Sequence, residues 1–142
     1  MANATNTLEN NILTHLLRTG SWTKPTNLYL ALFTTAPSDT ALGTEVSASG
    51  TAYARLNVSP ADATWSAPTD ASGAQQSSNV NQLEFTEAST SWGTVSHGAL
   101  MDISTGGSAS NMLLHFAWTA PKTIAGGDQL VIKANQLKIS CA

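Results

Sequence analysis

The stretch Asn27-Leu-Tyr-Leu-Ala-Leu-Phe-Thr34 constrains this chain most, because its apolar residues do not thin out on either side of a period of two. In a strand, successive side chains point to opposite faces, so Leu28, Leu30 and Leu32 line one face and Tyr29, Ala31 and Phe33 the other. Apolar residues on both faces require cover on both, as in a sandwich layer or beneath a helix. This segment is the best core candidate in the sequence.

The rest of the chain supplies partners for such a strand. Residues 51–58 read as a strand with Tyr53 and Arg55 on one face, and 79–86 as another carrying Val80, Leu83 and Phe85. Residues 91–103 form a third, broken by Gly93 and Gly98, which suggest bulges or close backbone approach. The turn at 104–108 leads into 111–118, a hairpin pattern. Shorter strands at 129–133 and 136–141 follow the turns at Gly126-Gly127 and Asn135. Frequent turns between short strands are the pattern of an antiparallel β-sandwich, jelly-roll-like in its strand number. Further core is expected at 113–118 and 130–132, with Trp92 and Trp118 inside it.

Composition agrees. Ser and Thr account for 35 of 142 residues while charged residues are only 11%, against roughly 25% in an average soluble domain. Thr favours a pleated surface and Ser, Gly, Asn and Pro favour turns. Hydrophobic residues at 42% are enough for one core, so residues 1–142 are read as a single domain. Two polar segments, about 35–50 and 59–78, are expected to be long loops.

One helix is expected near the start, at about residues 7–19. Asn6 and Glu9 have the spacing of a capping box, and Leu8, Ile12, Leu13, Leu16 and Leu17 recur at helical spacing before Gly20. A helix of this length is marginal alone. Its leucine face is expected to lie on the chain's own sheet; the alternative is a neighbouring subunit.

The chemistry-bearing residues do not assemble into a motif. His15 has no second ligand four residues away, and His97 and His115, on adjacent strands, lack a third ligand at metal-site spacing. No nucleophile elbow or phosphate-cradling loop occurs, and Glu84 with Glu87 is the only close carboxylate pair. Cys141 is the only cysteine, read as an inert thiol outside any disulfide. No catalytic, metal or cofactor-binding residues are therefore assigned. The net charge of −3, with six scattered basic residues, argues against direct nucleic-acid binding. No apolar run reaches membrane-spanning length, and the first residues lack the basic and apolar regions of a secretory signal. Synthesis in the cytoplasm is the expectation, which makes the sequons at Asn3 and Asn57 chance matches. Trp22 and Trp65, in connectors, are the better candidates for stacking on sugars or anchoring a protein partner. With Leu42 and Val46 of the first long loop they form the candidate interface set.

Several stretches, in order, carry a family likeness. Leu28-Tyr-Leu-Ala-Leu-Phe-Thr-Thr-Ala-Pro-Ser-Asp39, Gly43-Thr-Glu-Val46 and Tyr53-Ala-Arg55 are followed by Ser91-Trp-Gly-Thr-Val-Ser-His97, Pro121-Lys-Thr123 and Ala125-Gly-Gly-Asp128. This ordered set resembles a widespread family of small structural proteins of tailed bacteriophages, from about Leu8 to the C-terminus. Residues 59–78 depart from it in being longer and more polar. The resemblance implies a virion protein made in the host bacterial cytoplasm, without catalytic residues. It implies a homo-oligomer, dimer or trimer, that contacts the major capsid protein or other virion proteins. A capsid decoration or cement protein bridging capsid subunits is the leading expectation. A tail, baseplate or tail-fibre component is the alternative, and a carbohydrate-binding module a third reading of a different class.

Overall fold

The computed structural model describes residues 2–141; the side chain of Cys141 falls outside the described residues, and with it the expectation of an inert thiol. The principal sheet is built around β7 (Gly93–Met101), which pairs antiparallel on both sides. On one side it meets β2 (Tyr29–Phe33), in a register running from Tyr29↔Met101 to Phe33↔His97. On the other it meets the long β8 (Met112–Ile124). Two short strands, β1 (Asn3–Ala4) beside β8 and β3 (Leu56–Asn57) beside β2, complete the order β1-β8-β7-β2-β3.

The alternation of β2 divides the interior in two. Leu30 and Leu32 face the main core with Val95, Leu100 and Phe116 of the neighbouring strands. Tyr53, Phe85 and Trp92 close this core as an aromatic trio; Trp92 presents its edge to both other rings, at centroid distances of 5.4 and 6.2 Å. Ala31 and Phe33 face the other way, into a smaller cluster with Ala99, Met101 and Met112. All five residues of that second cluster are fully buried. Burial of such side chains is the main stabilising term, at about 1.5–3 kcal/mol for each large one. Cover on the second face comes from Leu42 of the loop after β2.

The layer opposite the principal sheet is made of smaller pieces. β4 (Thr69–Ala71), β5 (Ala74–Ser78) and β10 (Lys138–Cys141) form a three-stranded antiparallel sheet, and β6 (Leu83–Glu84) pairs with β9 (Val131–Ile132). Ile132 belongs to the main core, and Leu83 and Ile139 pack against it. The molecule is thus mostly β and antiparallel, as expected, with the two layers of a sandwich. Sheets of five, three and two strands do not establish a jelly roll.

Four local expectations are corrected. Residues 59–78 are not loop throughout: β4 and β5 form a hairpin whose two-residue turn, Ser72-Gly73, has φ of 58° and 89°. Two successive positive φ values are what a tight hairpin turn matching strand twist requires, and Gly73 supplies one without a steric penalty. Residues 51–58 are strand only at β3, although Thr51, Tyr53 and Arg55 do turn inward while Ala52 and Ala54 turn out. The helix α1 (Asn6–Leu17) forms, but Thr5 caps it, not Asn6. Its leucine face does not lie on the sheet: no residue of α1 is buried.

Candidate functional site

The helix is held at one end and bare along one side. Thr5 is fully buried; its hydroxyl donates to the Met112 carbonyl at 2.6 Å and accepts from the Leu8 N–H at 3.4 Å. The Thr5 N–H donates to the Leu113 carbonyl at 3.0 Å, which ties the helix start to β8. At the other end, Nδ1 of His15 accepts the Trp22 N–H at 3.1 Å. Between these anchors Ile12, Leu13, Leu16 and Leu17 are 40%, 55%, 70% and 76% exposed. Scattered apolar residues on a surface are ordinary, but four on one and a half turns of a single helix make a contiguous patch.

The loops are fastened by a buried ion pair. Arg55 grips Glu45 with two hydrogen bonds, Nε to Oε1 at 2.8 Å and Nη2 to Oε2 at 2.7 Å. Two further donors, one on Nη1 and one on Nη2, reach the carbonyls of Ile103 and Gly106, both at 2.8 Å. Tyr53 donates to Glu45 at 2.9 Å and accepts the Leu32 N–H at 2.9 Å. One guanidinium therefore joins the 35–50 loop, the 51–58 segment and the turn after β7. Burial alone would lower the Arg55 pKa, but the Glu45 hydrogen bonds and charge outweigh it and hold the pKa above its usual value. Burial, reinforced by the Glu45 charge, pushes the Tyr53 phenol far above its ordinary range. This constellation finds most of its partners within the protein and serves as a clamp.

The four interface candidates from the sequence are not brought together as one surface. Val46 turns inward, 5% exposed and part of the main core. Leu42 is drawn down onto the second cluster as its cover. Trp22 is half-buried beside the end of α1. Trp65 is also half-buried, with its ring N–H donating to the Val58 carbonyl at 2.9 Å, and lines a groove with Lys24, Asp62 and Pro68.

The histidines take internal partners. His97 shares a hydrogen bond with Ser96 at 2.8 Å, and Nε2 of His115 lies 2.8 Å from Asp39 of the covering loop. Among the described residues no group of three or more His, Cys, Asp or Glu is placed to hold a metal ion. No helix of the described residues is long and apolar enough to cross a membrane.

Trp118, read as core, packs against the main core but is only half-buried, and it also lines a groove of about 460 Å³ with Lys122, Leu130, Val131, Lys133 and Gln136. The cause is a wide bulge in β8. His97 pairs with Ala117 and Val95 with Lys122, so Trp118–Pro121 stand opposite Ser96 alone. A signal for it was present: proline inside a strand pattern marks an edge or a bulge, and Pro121 sits there.

The molecule is an antiparallel β-rich protein with a buried clamp and an exposed apolar helix face. In the comparison with family models, the model described as Podophage GP4 fiber I protein gp80 matches residues 3–140. The chain belongs to this family of phage virion proteins. No curated protein matches it.

Proposed function

We propose that this chain is a non-enzymatic structural subunit of a phage tail fibre, joined to further copies of itself through the leucine face of α1. The observation that carries the reading is the exposure of Ile12, Leu13, Leu16 and Leu17 on a helix with no buried residue. A helix of 12 residues has little stability of its own. Tethered through Thr5 to the end of β8, it presents those side chains outward, where a symmetric partner would cover them. The word "fiber" in the family description supports a place in the tail over the capsid-cement role that the sequence suggested first. The β core and the Arg55 clamp supply the stiffness that a fibre component needs.

The position is tested by labelling the protein on purified particles and counting copies against the major capsid protein. A few to tens of copies with label on the tail support the reading. Hundreds of copies spread over the shell would return it to capsid cement. Self-association is tested separately, by light scattering on the full chain: a dimer or trimer is expected, and a monomer at all concentrations would remove the helix from the assembly.

A further inference from the structure

Two grooves flank tryptophans, and they differ in what they leave unsatisfied. Beside Trp65, the indole N–H is already bonded to Val58, and Asp62 shares the lining with Lys24. Beside Trp118, the indole N–H is buried and has no hydrogen-bond partner among the described residues. No carboxylate lines that groove, while two of the chain's six basic residues, Lys122 and Lys133, do. Neither lysine is in an ion pair among the described residues. A chain of net charge −3 thus gathers positive charge at one place.

The walls add a second kind of selectivity. Leu130, Val131 and the Trp118 ring offer an apolar surface, and Gln136 an amide. The Trp118 ring is fixed from behind: it stands edge-on to Phe116 at 5.0 Å, and its Cζ2 lies where a side chain on Gly98 would begin. Thr119 and Ala120 of the bulge also line the groove, and they have no register partner on β7. The site therefore offers two separate lysine donors, an amide and a fixed aromatic wall.

We propose that the groove between the β8 bulge and β9 binds an acidic saccharide, with carboxylates held by Lys122 and Lys133 and a sugar ring seated against Trp118. Each sugar ring of a uronate chain pairs an apolar C–H face with hydroxyl acceptors and one carboxylate, which matches this lining group for group. A volume near 460 Å³ suits a short run of such rings. An acidic peptide fits less well. Strand addition needs a regular free edge, and here a bulge twists one wall and β9 has only two residues. This site is separate from the helix face, so it stands or falls independently of the assembly reading.

The test uses the full chain with oligogalacturonate, maltotetraose and a hexaglutamate peptide as probes. Binding is followed by tryptophan fluorescence and by the indole resonances in a ¹⁵N-correlated spectrum. Oligogalacturonate is expected to saturate, to weaken with added salt, and to shift the Trp118 indole resonance. Because hydrogen bonds to charged groups are strong, Lys122→Gln with Lys133→Gln should weaken binding at least about tenfold. Both side chains are exposed, so this variant should keep its fold, checked by an unchanged circular dichroism spectrum. Trp65→Phe should bind as the parent does. A flat oligogalacturonate titration would overturn the proposal. So would equal affinity for maltotetraose, equal affinity for hexaglutamate, or binding that survives in the double-lysine variant.

Discussion

β2 and α1 are both leucine-rich, yet they meet opposite fates. Leu30 and Leu32 of β2 are completely buried, whereas Leu16 and Leu17 of α1 are mostly exposed. The strand is paired between β3 and β7, with its Leu30 and Leu32 face in the main core and its Ala31 and Phe33 face in the second cluster under Leu42. The helix is attached through Thr5, and none of its residues is buried by the rest of the chain. Residue type therefore does not decide burial here; what decides is whether the topology brings a second surface. The sheet region carries the stability of the monomer, and the helix carries surface that a single chain leaves open.

The largest effect separating the two regions is expected at Phe33. Its ring is fully buried in the second cluster, where only four small or flexible residues and Leu42 surround it. Phe33→Ala should cost about 3–5 kcal/mol, the usual range for deleting a buried ring with partial collapse of its site. Urea denaturation would measure this as a lowered midpoint at unchanged slope. A loss below about 1 kcal/mol would mean that the loop bearing Leu42 collapses into the space, and that the second core is soft.

Removing the clamp should approach the same size by a different route. Arg55→Ala leaves Glu45 without its partner and two carbonyls, those of Ile103 and Gly106, without donors. Breaking a buried pair from one side typically costs about 3–5 kcal/mol, and the Glu45 side chain is 25% exposed, which places the expectation at the lower end. Arg55→Lys should not restore it, since an ammonium cannot reproduce the two-pronged grip. Hydrogen exchange distinguishes the two substitutions: loss of the clamp should release the 35–50 loop and the turn after β7 while the β7–β8 amides stay protected.

These two sites also mark what was legible in advance. Alternation over residues 27–34 is a strong signal because only a strand covered on both sides tolerates it, and the observed β2 lies inside it. The alternation around Tyr53 and Arg55 correctly marked an inward face, but burial there comes from a hydrogen-bonded clamp rather than from sheet pairing. The β4–β5 hairpin was missed because Thr-Asp-Ala and Ala-Gln-Gln-Ser-Ser lack apolar alternation, although Ser72-Gly73 carried the turn signal. Burial of the helix was misjudged since amphipathic spacing reveals a face and not what covers it. Trp118 packs against the main core as read, but the bulge that sets Trp118–Pro121 opposite Ser96 leaves it half-exposed along a groove, which the local pattern does not show.

A pH series sharpens the comparison at moderate size. The Tyr53 phenol is raised by burial and by the Glu45 charge, so the folded state keeps its proton when the unfolded chain gives one up. The stabilisation is fully present below the unfolded tyrosine pKa of about 10 and is lost above it, by at most about 1.4 kcal/mol per pH unit. Thermal unfolding should therefore be insensitive to this group near neutrality and weaken above about pH 10. Tyr53→Phe should abolish that alkaline slope, at the cost of the hydrogen bonds to Glu45 and Leu32. Persistence of an equal slope in the variant would assign it to other groups.

The smallest effect on the monomer, and the one that most directly tests the contrast, is expected on the helix. Leu13→Gln with Leu16→Gln replaces two side chains that are 55% and 70% exposed. Surface substitutions away from packed features usually change stability by no more than about 0.5 kcal/mol each. At concentrations where the chain is monomeric, the double variant should unfold within about 1 kcal/mol of the parent. At higher concentration the parent should gain stability from self-association while the variant does not, because binding to the folded state raises stability by mass action. The concentration dependence of the melting temperature thus isolates the helix's contribution. A loss of more than about 2 kcal/mol in dilute monomer would place these leucines against the chain's own core and end the distinction between the two regions. Equal concentration dependence in parent and variant would leave the monomer reading intact and move the subunit contact away from α1.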